Sequence, residues 1–69
     1  MKLAIIAASG KQGQALLNEA LARGLDVTAI VRDASKISQD VAVIEKDVLA
    51  LSRDDLAPFD VVINAFGAP

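Results

Sequence analysis

Apolar side chains follow two rhythms along this 69-residue chain. The stretch Lys2-Leu-Ala-Ile-Ile-Ala-Ala8 is almost continuously apolar, holds the adjacent β-branched pair Ile5 and Ile6, and stops at Ser9-Gly10. A short run without alternation predicts a strand buried on both faces, in the middle of a sheet. From Gln12 the period changes. Gly13, Leu16, Leu17, Ala20, Leu21 and Gly24 fall at i, i+3, i+4, i+7, i+8 and i+11, one stripe of an amphipathic helix. Arg23 suits the negative pole of that helix, and Gly24 stands where a left-handed residue ends it.

Beyond the helix the strand rhythm returns. Asp26-Val-Thr-Ala-Ile-Val-Arg32 is rich in β-branched residues and predicts a second strand. The polar stretch Asp33-Ala-Ser-Lys36 reads as a turn or a single helical turn, and Val41-Ala-Val-Ile44 as a third strand running toward Asp47. One or two helical turns fit between Val48 and Leu56, closed by Pro58. Asp60-Val-Val-Ile-Asn64 is the fourth strand and leads into Ala65-Phe-Gly-Ala-Pro69.

Strands alternating with helical segments imply an α/β fold with a parallel sheet and right-handed crossovers. A chain this short buries only about 60% of its unfolded surface. The expectation is therefore that residues 1–69 are the N-terminal part of a single, longer domain, the first half of a doubly wound Rossmann sheet with strand order 3-2-1-4.

Composition narrows the chemistry. Leu, Ile, Val and Phe make up 23 residues, enough to exclude a disordered segment. Seven basic and nine acidic side chains are spread without blocks, which argues against nucleic acid or an anionic membrane as partner. Without Cys there is no disulfide, thiolate chemistry or Cys-based zinc site, and without His the commonest general base and metal ligand is missing. The apolar run Leu3–Ala8 is far below the roughly 20 residues of a membrane span, and Lys2 alone is a poor signal-peptide start, so a cytoplasmic location is expected.

The informative cluster is Ala7-Ala-Ser-Gly10-Lys-Gln-Gly13, between a buried strand and the start of a helix. At such a turn the first helical amides point outward unpaired and, with the helix dipole, attract a phosphate if no side chain blocks the backbone. Gly10 supplies the access. Gly13 lies on the inward stripe, where a missing Cβ permits close packing of helix on sheet. Ala7 stands where a G-x-x-G-x-x-G turn has its first glycine; a positive φ there would cost alanine about 1 kcal/mol.

About twenty residues past the final glycine of such a turn, the second strand ends beside the adenosine ribose of a dinucleotide. That position is Arg32, whose planar fork suits the 2′-phosphate of NADP. Asp33 follows, and either caps the next turn or binds the ribose of NAD. Lys11 assists at the 2′-phosphate or faces solvent. Asp47 accepts from an adenine amino group while Val48 packs on the ring, or else serves as a helix N-terminal acid. Ala65, Phe66 and Gly67 follow the fourth strand at the switch point and border the cofactor there, unless Phe66 packs against the rest of the fold. A nucleoside-triphosphate loop is excluded, because no Gly-Lys-Ser or Gly-Lys-Thr occurs.

Taken together, Lys2-Leu-Ala-Ile-Ile-Ala-Ala-Ser-Gly-Lys-Gln-Gly13, Asp26-Val-Thr-Ala-Ile-Val-Arg32, Glu45-Lys-Asp-Val48 and Asp60-Val-Val-Ile-Asn-Ala-Phe-Gly67 resemble the N-terminal half of atypical short-chain dehydrogenases, in particular the NADH-flavin reductase and NAD(P)H-binding group. That family's turn is usually Gly-Ala-Thr-Gly-x-x-Gly, from which Ala7 and Ser9 depart. The resemblance implies cofactor binding at Ser9, Gly10, Lys11, Gln12, Gly13, Arg32, Asp47 and Val48, with Ala65, Phe66 and Gly67 alongside. It also implies that the family's catalytic Tyr and Lys lie beyond residue 69, since this chain has no Tyr. An NADP-preferring oxidoreductase that passes electrons to FMN, FAD or a quinone is the leading expectation. An NAD(P)-sensing regulator without turnover, and an NAD-dependent epimerase or isomerase, are the alternatives.

Overall fold

The computed structural model describes residues 1–65. Four parallel strands, β1 (Lys2–Ile6), β2 (Asp26–Val31), β3 (Ala42–Glu45) and β4 (Val61–Asn64), form one sheet in the order β3-β2-β1-β4. This is the predicted order. The continuous apolar run predicted for the middle of the sheet sits there, with Leu3, Ala4, Ile5 and Ile6 all buried.

Successive side chains of a strand face opposite ways, so each strand feeds two cores. On one face Leu3, Ile5, Val27, Ala29 and Val31 pack with Leu17 and Ala20 of the helix α1 (Lys11–Ala22). On the other face Ala4, Ile6 and Ile30 pack with Ile44, Val48, Leu51, Leu56 and Phe59. That second layer is built from a 3-10 turn, Val48–Ala50, and a one-turn helix α2, Arg53–Leu56. The helical stretch expected between Val48 and Leu56 is thus broken at Leu51 and Ser52. The break has a local cause: Ser52 and Asp55 form a reciprocal capping box, which starts a new helix there.

The predicted stripe of α1 is narrower in the fold. Gly13, Leu17 and Ala20 are buried and Leu21 is partly so, whereas Leu16 lies at the edge, 37% exposed. Gly24 is beyond the helix at φ +71°, and two backbone bonds close the end: Gly24 N–H donates to the Leu21 carbonyl and Leu25 N–H to the Ala20 carbonyl, each at 3.0 Å. This paired pattern is the Schellman motif that a C′ glycine makes possible. Arg23 pairs with Glu19, one turn back, at 2.8 Å.

Strand ends shift by one or two residues from the sequence reading. The first stops at Ile6 because the backbone turns at Ala7, and the third runs one residue later than expected, to Glu45. Asp33-Ala-Ser-Lys36 forms the single turn of helix expected of it, a 3-10 turn over Ala34–Lys36. The loop that follows is tied to α1 by amides: Gln39 Nε2 donates to Gln14 Oε1 at 2.6 Å and to Asn18 Oδ1 at 2.9 Å.

Candidate dinucleotide site

Three backbone bonds set the carboxyl ends of the strands at one level. Ala7 N–H donates to the Ile30 carbonyl at 2.8 Å, Lys46 N–H to the Val31 carbonyl at 2.8 Å, and Ala65 N–H to the Ile6 carbonyl at 3.1 Å. Over this edge opens a cleft of about 330 Å³, a volume within the range of small-molecule sites. β1 and its turn contribute Ile6, Ala7, Ser9 and Gly10; β2 contributes Ile30 and Val31, followed by Arg32. Lys46 and Val48 follow β3, and Ala65 follows β4.

The turn between β1 and α1 works as its glycines suggest, with one exception. Ala7 takes φ +62°, the left-handed backbone that the missing first glycine would have taken freely. Two bonds hold it there. Its N–H stays in the sheet, and its carbonyl accepts from Gly10 N–H at 3.1 Å. Ala7→Gly should therefore raise stability by about 0.5 kcal/mol, the relieved strain less the extra entropy of an unfolded glycine. Chemical denaturation of the full-length protein checks the sign, and a loss of stability would show that Ala7 is not strained.

Gly10 and Gly13 serve different ends. A Cβ on Gly10 would meet only the Ala7 carbonyl oxygen, at an ordinary 3.6 Å, so nothing in the fold demands glycine there. What its bare backbone leaves open is the approach from the cleft. A Cβ on Gly13 would strike the Ala7 carbonyl oxygen, and would lie 2.6 Å from Ala8 Cα and 2.9 Å from its carbonyl carbon. Gly13 therefore brings helix and turn into contact.

No side chain caps α1, and its first turn carries no acid. The first backbone bond of the helix runs from Gln14 N–H to the Gly10 carbonyl at 2.8 Å. The amides of Lys11, Gln12 and Gly13 precede that bond at the positive end of the helix dipole, an arrangement that favours an anion. The side chains of Lys11 and Gln12 are exposed and do not line the cleft.

The acids near the cleft have structural work. Asp33 accepts from the Ser35 hydroxyl at 2.7 Å and the Ser35 amide at 3.0 Å, and these bonds, the hydroxyl's first, hold its carboxyl below the ordinary carboxylate range. Asp47 accepts from Leu49 N–H at 2.9 Å and caps the 3-10 turn, which matches the plainer of its two readings. Its second oxygen lies 3.8 Å from Arg32 Nε, too far for a hydrogen bond. The Arg32 side chain is 77% exposed, and its forked donors remain available to a ligand.

Of the residues expected to bind a cofactor, Ser9, Gly10, Arg32, Val48 and Ala65 share the cleft. Gly13 is buried behind it, while Lys11, Gln12 and Asp47 stand outside its lining. Phe66 and Gly67 fall outside the described residues. Lys46 is the residue that sequence reasoning missed. It faces the cleft while its ammonium donates to Asp55 Oδ2 at 2.8 Å, and this bond, ahead of the Ser52 amide, lowers the Asp55 pKa. The available signal was parity: Lys46 lies two residues past Ile44, as Arg32 lies two past Ile30.

A parallel sheet ordered 3-2-1-4, with a cleft at its carboxyl edge beside a glycine turn, defines a Rossmann-like nucleotide-binding fold. A family described as NAD(P)H-binding matches residues 7–69, and the chain belongs to that family. It is 61% identical over 69 residues to the uncharacterized protein YwnB of Bacillus subtilis (strain 168), covering 99% of this chain and 32% of that protein. A solved structure from Streptococcus pneumoniae TIGR4, described as a "putative NADH-flavin reductase", is 51% identical with a TM-score of 0.87, over 99% of this chain and 32% of that one. A "putative epimerase" from Bacteroides thetaiotaomicron is 44% identical with a TM-score of 0.80, over 96% of this chain and 33% of that one. The chain spans about a third of the length of these relatives.

Among the described residues, no helix is long and apolar enough to cross a membrane, and no group of acids forms a metal site.

Proposed function

We propose that residues 1–69 are the dinucleotide-holding part of an NADP-preferring oxidoreductase, the remainder of one Rossmann domain supplying the acceptor pocket and the catalytic groups. The observation that carries this reading is the cleft in which an uncapped helix start, Ser9 and Gly10 stand on one side and Arg32 on the other. The α1 amides and Gly10 would take the pyrophosphate, Ala65 would border the bound molecule after β4, and Val48 would pack on adenine. Arg32 would take the 2′-phosphate, and Lys11, exposed at the start of α1, would assist. Asp47 would lie beside the adenine edge while it caps its turn.

When bound, the dihydronicotinamide supplies two-electron reduction of an acceptor. The Streptococcus relative's description points to a flavin, FMN or FAD, as that acceptor. The protein's own residues hold and orient the dinucleotide. The Bacteroides relative's description favours a second reading, an epimerase; on that reading the chain would hold NAD. Against it stand Arg32 in the cleft and Asp33, which lies outside the cleft lining and whose Oδ1 is engaged with Ser35.

Calorimetric titration of the full-length protein with NADPH and with NADH, at fixed ionic strength, tests the proposal. Tighter binding of NADPH is expected. Tighter binding of NADH would move the ribose contact to Asp33 and overturn the NADP preference, and binding of neither would reduce the glycine turn to architecture.

A further inference from the structure

Arg32 is not the only cation at this edge of the sheet. Val31 and Glu45 are partners in the parallel register of β2 and β3, so Arg32 and Lys46 are the next residues past the ends of neighbouring strands. Both line the cleft. They share the parity of Ile30 and Ile44, which belong to the same core on the α2 side of the sheet. Two adjacent cations on one face repel each other unless something negative lies between or beside them.

Each has an acid beside it. Arg32 has Asp47 at 3.8 Å, and Lys46 has Asp55 at 2.8 Å. The second pair is the more confined, with side-chain exposures of 38% and 27%, and Asp55 is itself fixed by the Ser52 amide and hydroxyl at 2.9 and 3.1 Å. An ammonium has three donors, and Asp55 engages one face of it. Lys46 is thus a cation anchored at the cleft wall, with donors left over, where Arg32 is long and mostly solvated.

We propose that Lys46 is a second specificity-determining residue for the 2′-phosphate, and that Arg32 and Lys46 together form a two-cation clamp on that group. The inference rests on the dinucleotide reading of the cleft. A 2′-phosphate carries close to two negative charges at neutral pH, and one guanidinium neutralises only part of that charge. A dianion that reaches both cations gains a charge-assisted hydrogen bond from each. NADH, with a 2′-hydroxyl, gains nothing from the pair. Asp55 acts through Lys46 as a positioning residue.

The test is calorimetric titration of the full-length protein and its Lys46→Met and Lys46→Arg variants with NADPH and NADH. Methionine keeps the apolar stem and removes the charge, so NADPH binding should weaken about tenfold, the scale of one charged hydrogen bond, with NADH within about twofold of wild type. Lys46→Arg should restore NADPH affinity to within about threefold. The slope of NADPH affinity against salt should fall in Lys46→Met, a response that a packing defect would not produce.

Unchanged NADPH affinity in Lys46→Met, or equal losses for both dinucleotides, would overturn the clamp while leaving the dinucleotide site intact. A wild-type protein that binds NADH more tightly than NADPH would overturn it too. A wild-type protein that binds neither would overturn the functional reading and this proposal with it.

Discussion

Gly13→Ala should destabilise the full-length protein by about 3 kcal/mol and remove binding of NADPH and NADH together. The atoms that its new methyl would strike are the Ala7 carbonyl oxygen and the Ala8 backbone, with Ala8 Cα only 2.6 Å away. Backbone has no rotamer to change, and Ala7 is held from both sides by its bonds to Ile30 and Gly10. The helix would have to move off the turn, an overpacking cost at the upper end of the usual 1–3 kcal/mol. Moving it also displaces the amides of Lys11, Gln12 and Gly13, on which either dinucleotide would rely.

Gly10→Ala is the control. Its backbone is extended, at φ −72° and ψ 170°, and its Cβ has room, so stability should change by less than about 0.5 kcal/mol while dinucleotide binding falls. Denaturant unfolding and calorimetry on the two variants separate a packing glycine from an access glycine. Equal stability of Gly13→Ala and wild type would mean that the close contact is not what holds helix to sheet.

Arg32→Ala should weaken NADPH binding by about 1 to 3 kcal/mol and leave NADH nearly unchanged. The selectivity follows from geometry. Arg32 makes no hydrogen-bonding contact with Asp47 at 3.8 Å, and its exposed guanidinium supports no core packing whose loss would disturb both ligands alike. Titration with the two dinucleotides at one ionic strength reads the difference directly. Equal losses would remove Arg32 from the 2′-phosphate and return attention to Asp33.

Much of the scaffold was legible in one dimension, because its signals are local. The unbroken apolar run of β1, the change of period at Gln12 and the glycine at the end of α1 each report what a few neighbouring residues can do without a long-range partner. Strand order then followed from the Rossmann pattern that the glycine turn and the alternation of strands and helices imply. The glycine turn was readable for the same reason, since strand, turn and helix are consecutive.

Less legible were features where local options compete. Asp33 and Asp47 each had a ligand reading and a capping reading, and the structure shows both capping, since an aspartate at the start of a turn reaches the amide two residues on. The helical stretch after Val48 was too short for periodicity to locate the break at Ser52. Leu16 fitted the stripe of α1 but stands at its margin, because a 12-residue helix on a sheet buries only the narrow line of Gly13, Leu17 and Ala20.

What the amino-acid order determined by itself was most of the elements, their sequence along the chain and the glycine turn at the start of α1, fixed by side-chain periodicity and by the special backbone of glycine. The tertiary structure alone decided that Ala7 adopts a left-handed backbone and that Lys46 comes to stand beside Arg32 at the cleft. The first depends on the Ile30 carbonyl holding Ala7 from a neighbouring strand. The second depends on the register of β2 against β3, set by burial of Ile30 and Ile44 in a shared core, which no segment of the sequence carries on its own.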